Sequence, residues 1–98
     1  MASLASYRPF APHAQVISQN EIRIKWLPTS LNRMEFNAYY ELYTGDEIEY
    51  VGQDLTHVAK RLHYGKEYMF KLRVCSLSTM GDCSQFSMPR YQKLTGLM

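Results

Sequence analysis

At 98 residues the chain is long enough to bury one core of its own and leaves little room for a second domain. Its 46% hydrophobic residues and eight tyrosines exclude disorder, and no apolar run approaches the roughly 20 residues of a membrane helix, so direct membrane insertion is not expected. The formal net charge is +2 and the longest basic cluster is Lys60-Arg61, without the concentrated basic patch of a nucleic-acid-binding module.

Met1-Ala2-Ser3-Leu4 has neither the charged start nor the apolar stretch of a signal peptide, and the chain is expected to be a domain of a longer protein. Residues 1–8 read as a lead-in segment. Pro9 and Pro12 keep the next stretch extended, and Val16-Ile17 can pair at a sheet edge. Glu21-Ile22-Arg23-Ile24-Lys25-Trp26 alternates strictly, which gives a strand burying Ile22, Ile24 and Trp26. Leu27-Pro28-Thr29-Ser30 stops it, because proline has no ladder donor. In residues 36–43 the even set, Phe36, Ala38, Tyr40 and Leu42, is the better core face. Tyr39 and Tyr43 are then left outward.

Thr44-Gly45-Asp46-Glu47 is a turn, followed by a short strand over 48–51 that Gly52 closes. Residues 56–62 also fit a helical turn through Val58, Ala59 and Leu62. Tyr64-Gly65 breaks that turn, and a short strand suits the spacing better. The longest alternation sets Tyr68, Phe70, Leu72 and Val74 against Met69, Lys71, Arg73 and Cys75. Residues 76–82 are a polar hairpin loop, and 83–88 are a last strand halted by Pro89. Residues 90–98 look like a linker or tail, so the domain proper is placed at 9–89. About seven short strands with a turn every 8–12 residues predict an all-β, immunoglobulin-like antiparallel sandwich.

The pattern resembles a fibronectin type III domain over almost the whole chain. Pro9 and Pro12 resemble that family's proline-marked first strand, Trp26 its core tryptophan, and Tyr40 with Leu42 the aromatic–aliphatic pair of its third strand. The strongest match is Leu62-His63-Tyr64-Gly65-Lys66-Glu67-Tyr68-Met69-Phe70-Lys71-Leu72, against the family's Leu-x-Pro-Gly-x-x-Tyr-x-Phe/Val-x-Val. The resemblance implies that Tyr68 is a corner tyrosine whose hydroxyl bonds to backbone a few residues upstream. It also implies structural roles for Trp26, Tyr40, Leu62, Phe70 and Leu72. Tyr64 departs from the pattern by standing where proline is common. Val58 sits four residues ahead of Leu62, whereas the family often has its apolar residue three ahead, at the position of Ala59.

Cys75 and Cys83 flank the 76–82 loop. A bridge between them would contribute about 2–3 kcal/mol by chain entropy. Similar pairs occur in some extracellular members of the family, and two free thiols in an intracellular domain are the alternative. No Asn-x-Ser/Thr site supports an extracellular setting, and the compartment stays open. Met80-Gly81-Asp82 lies in the loop that resembles the one carrying an Arg-Gly-Asp integrin motif in one fibronectin domain. Met80 replaces the base, and Gly81 is explained by the turn. His13, His57 and His63 have no metal-ligand spacing, and Asp46-Glu47 has no second acid across a cleft. With no phosphate loop or nucleophile motif either, neither catalysis nor a metal or cofactor is expected.

A protein-binding surface is the better candidate. Tyr39 and Tyr43 share an outward face that Tyr50 or Val51 can extend, with Met69 and Arg73 on the neighbouring strand and Met80 in the loop. Tyr, Met and Arg together have the composition of an interface. Tyrosines that merely cover a sheet are the alternative. The expected function is a non-catalytic interaction and spacer module, monomeric in isolation, whose partner is another protein or the adjacent domains of its own chain. Its setting would be the extracellular part of an adhesion or receptor-like protein. The rival is an intracellular scaffold or a transcription or chromatin cofactor that binds partner peptides, and a remoter one is a carbohydrate-binding accessory domain.

Overall fold

The computed structural model describes residues 4–28, 38–79 and 81–96. Phe36 and Met80 lie outside these described residues. A short 3-10 turn, Leu4–Ser6, precedes seven strands: β1 His13–Ser18, β2 Glu21–Lys25, β3 Ala38–Thr44, β4 Glu47–Gly52, β5 Thr56–Ala59, β6 Glu67–Ser76 and β7 Arg90–Lys93. They form two antiparallel sheets, ordered β1-β2-β5 and β4-β3-β6-β7, packed as a sandwich.

The alternation in the sequence sets the core. Ile22 and Ile24 of β2, Ala59 of β5, Tyr40 and Leu42 of β3, and Tyr68, Phe70, Leu72 and Val74 of β6 point inward and are buried. The register of β3 against β6 places Tyr40 opposite Val74 and Leu42 opposite Leu72, so the large side chains of both strands meet on one face. Trp26 lies just past β2 and is 6% exposed. Its backbone N–H donates to the carbonyl of Leu55, and its ring centroid is 6.1 Å from that of Tyr40. The hydroxyl of Tyr68 accepts from the backbone N–H of His63 at 2.7 Å, so the buried phenol has the partner it needs. In the same corner β5 ends at Ala59, which is fully buried, and Leu62 packs half-buried against the core. Between them Arg61 turns the chain with φ of 61°.

Three expectations are corrected. Residues 83–88 are not a regular strand. Serine side chains take over half of their hydrogen bonds to β6: Ser84 Oγ accepts from Val74 N–H and Ser87 Oγ from Leu72 N–H, while the two serine N–H groups donate to the carbonyls of Val74 and Leu72. Positions 84 and 87 thus pair with positions 74 and 72, three residues against two, and the extra residue prevents a continuous ladder.

Residues 90–93 are not a linker. They form β7, pairing with β6 from Glu67↔Lys93 to Phe70↔Arg90. Leu94 beyond them is 0% exposed in the core, and its N–H donates to the Lys66 carbonyl. Pro89 therefore separates two segments that both run along β6. The lead-in segment, from Leu4 onwards, is also part of the fold. Leu4 is 3% exposed, its N–H donates to the Asp82 carboxylate, and the Tyr7 carbonyl accepts from Gln85 N–H. Buried Leu4, Tyr7 packed against the core, and these hydrogen bonds together dock the segment against residues 82–86.

Candidate protein-binding face

The outward face of the four-stranded sheet follows from the same register that builds the core. Inward pairs of β3 and β6 alternate with the outward pairs Tyr39↔Cys75, Glu41↔Arg73 and Tyr43↔Lys71, and β7 adds Met69↔Tyr91. Tyr39, Tyr43, Met69 and Arg73 therefore lie on one side of the sheet, all half-buried.

At its centre is a cluster of rings and cations. Tyr43 meets Phe86 edge to face, with ring centroids 5.0 Å apart. Lys71 Nζ lies 4.4 Å and Arg73 Cζ 5.0 Å from the Phe86 centroid. Each such cation–ring contact contributes about 0.5–1 kcal/mol at a partly exposed site. Arg73 is held in place because its Nε donates to Glu41 Oε1 at 2.7 Å. Lys71 also lies 3.7 Å from the fully solvated carboxylate of Asp46, a pair that contributes little. Phe86 does not stand out in the sequence, because the irregular pairing of 83–88 decides which way it points. Lys71 is within reach of sequence reasoning, since it shares parity with Met69 and Arg73.

Beside the cluster, towards β4, lies an open cavity of about 480 Å³ lined by Tyr39, Glu41, Val51, Gly52, Gln53 and Leu77. Val51 and Leu77 are both exposed apolar side chains there. Exposed Tyr91 extends the face past Met69 on the other side.

Tyr50 does not belong to this face, which corrects its assignment as an outward residue. A bulge in β4 places Tyr50 opposite Leu42 and Ile48 opposite Tyr43, so Glu49 is the extra residue and the parity of the strand reverses. Tyr50 turns inward with its ring 5.9 Å from Trp26 and 5.2 Å from His57, and its hydroxyl accepts from Asp54 N–H. Burial raises its phenol pKa above the ordinary value. Gly52 makes room for it, because a Cβ there would collide with the Tyr50 ring and hydroxyl. Glu49, the bulged residue, pairs with His57 at 2.9 Å and joins the edges of the two sheets.

The remaining candidates are placed as follows. Cys75 and Cys83 face each other across an isolated bridge and are joined as a disulfide on this same outward side. Gly81 adopts φ of 83°, and the Asp82 carboxylate is turned back to the Leu4 N–H rather than offered at a loop tip. His13 and His63 are exposed, and neither approaches the other or His57 in a ligand cluster among the described residues.

No protein-family model and no curated protein sequence matches the chain. Solved structures do. The sixth fibronectin type III domain of human fibronectin type III domain containing protein 3 superposes with a TM-score of 0.74 at 18% identity, covering 95% of this chain and 89% of that one. The chain has the fibronectin type III fold. Another solution structure, of the fibronectin type-III domain of human fibronectin type III domain containing protein 3, gives the same TM-score at 19% identity and covers 94% and 88%. Part of a Yersinia enterocolitica family 28 exopolygalacturonase also matches, with a TM-score of 0.71 at 11% identity, over 88% of this chain but only 20% of that protein. At these identities the likeness concerns the fold, and the fibronectin type III sandwich is the frame on which the aromatic–cationic face is displayed.

Proposed function

We propose that this fibronectin type III domain is a non-catalytic protein-interaction and spacer module, and that its partner docks on the outward face of the β4-β3-β6-β7 sheet. The observation that carries this reading is the cluster of Tyr43, Phe86, Lys71 and Arg73, flanked by the cavity at Tyr39. Rigid aromatics and an arginine fixed by Glu41 present contact area with little conformational entropy left to lose on binding. Rigid display is the mechanism: the β3–β6 ladder fixes the spacing of these groups, and the partner reads that spacing. The Cys75–Cys83 bridge favours the extracellular part of an adhesion or receptor-like protein over an intracellular scaffold.

The test compares the outward faces of the two sheets. Partners captured on the immobilised domain are measured against Tyr43→Ser/Phe86→Ser and against Arg23→Ser/Val58→Ser, whose positions pair on the three-stranded sheet. The reading expects a captured partner to lose at least about tenfold in affinity with the first variant and to bind the second as it binds the unmodified domain. Equal binding to the first variant and the unmodified domain contradicts it.

A further inference from the structure

Next to the aromatic cluster, the same sheet face assembles a second group of side chains. Glu41 Oε, Cys75 Sγ and Cys83 Sγ all lie within 4.8 Å of one another. Cys75 is buried near the C-terminal end of β6, the Glu41 side chain is only 13% exposed, and Glu41 lines the open cavity beside Tyr39. One carboxylate oxygen accepts from Arg73 Nε, and the other has no hydrogen-bond partner among the described residues. A mostly buried carboxylate with a free oxygen, two sulfurs at its side and an open cavity at the carboxylate is a ligand set for a thiophilic divalent cation.

We propose that, once the Cys75–Cys83 bridge is reduced, the two thiolates and the Glu41 carboxylate bind zinc, so that one cysteine pair is a staple in oxidising surroundings and a metal site in reducing ones. The reduction is an ordinary exchange with a small-molecule thiol. Two thiols supply two electrons and two protons, leave as their own disulfide, and yield Cys75-SH and Cys83-SH. Zinc then displaces the two thiol protons. Ligand atoms around tetrahedral zinc stand roughly 3.3–3.8 Å apart, so the sulfurs need only separate by a modest step while the carboxylate is already in range.

Cys83 meets β6 through an isolated bridge at the end of the 76–82 loop, whereas Cys75 belongs to the ladder of β6 with β3. Charge also balances: two thiolates, one carboxylate and the divalent ion leave a single negative charge, which the Arg73 guanidinium offsets while orienting Glu41. The fourth position faces the cavity and takes water. Sequence spacing does not reveal this site, because only the β3–β6 register brings Glu41 to the cysteines.

The test uses the whole 98-residue chain, fully reduced under anaerobic conditions and titrated first with Co²⁺ and then with Zn²⁺. The proposal expects a thiolate-to-cobalt charge-transfer band that saturates at one equivalent and is abolished by zinc. Zinc should also raise the Tm of the reduced protein, by roughly 10 °C at a hundredfold excess over Kd, and leave the oxidised protein unchanged. Glu41→Gln should weaken zinc binding at least about tenfold, with the bridge still able to form in the oxidised variant as its folding control. A reduced protein that shows neither the band nor the Tm shift overturns the proposal. Zinc affinity unchanged in Glu41→Gln overturns it too, since the site would then be a dithiol alone.

Discussion

On one face β6 turns Tyr68, Phe70, Leu72 and Val74 into a core where all four are buried; on the other it carries Met69, Lys71, Arg73 and Cys75, of which only Cys75 is buried. The two faces share one backbone and one register but are held by different physics. Inward, each side chain fills volume shared with both sheets, and its removal leaves a cavity. Outward, side chains contribute through pairs, Tyr43 on Phe86 and Arg73 on Glu41, each of small magnitude and separable from the rest. A domain built this way can change its surface with little consequence for its fold.

Mutations should expose the contrast. Phe70→Ala, in the middle of the inner face, is expected to cost about 3–5 kcal/mol in chemical denaturation, the largest effect of the series. Leu94→Ala should follow at about 2–5 kcal/mol although it lies beyond the last strand, because Leu94 is fully buried. A loss under about 1 kcal/mol would return the C-terminal segment to the status of a tail. Ser87→Ala should cost about 1–3 kcal/mol by leaving the buried N–H of Leu72 unpaired, measured in the same way. On the outer face a double-mutant cycle of Tyr43→Ser and Phe86→Ser should return a coupling of about 0.5–1.5 kcal/mol. A coupling as large as the Phe70 effect would make the outer cluster a second core rather than a surface.

Strand alternation makes the inner face legible in the amino-acid sequence alone. Ile22, Ile24, Tyr40, Leu42 and the four inward residues of β6 all follow from period two and burial, and the motif around Tyr64-Gly65 marks the corner. Irregularities hide the rest. The bulge at Glu49 reverses parity and turns Tyr50 inward against the core, which composition alone does not signal. The extra residue between Ser84 and Ser87 breaks the pattern of the final segment, so Pro89 looks like an ending and β7 like a linker. Phe86 is hidden by the same irregularity. Glu41 is not recognisable as a neighbour of the cysteines, because that contact is purely a matter of register.

The claim that the outward face of the four-stranded sheet is the binding surface is tested most directly by mapping amide chemical-shift changes in the isotope-labelled domain as a captured partner is added. The account predicts the largest changes at Tyr39, Glu41, Tyr43, Lys71, Arg73 and Phe86. Changes concentrated instead on β1, β2 and β5 would contradict it.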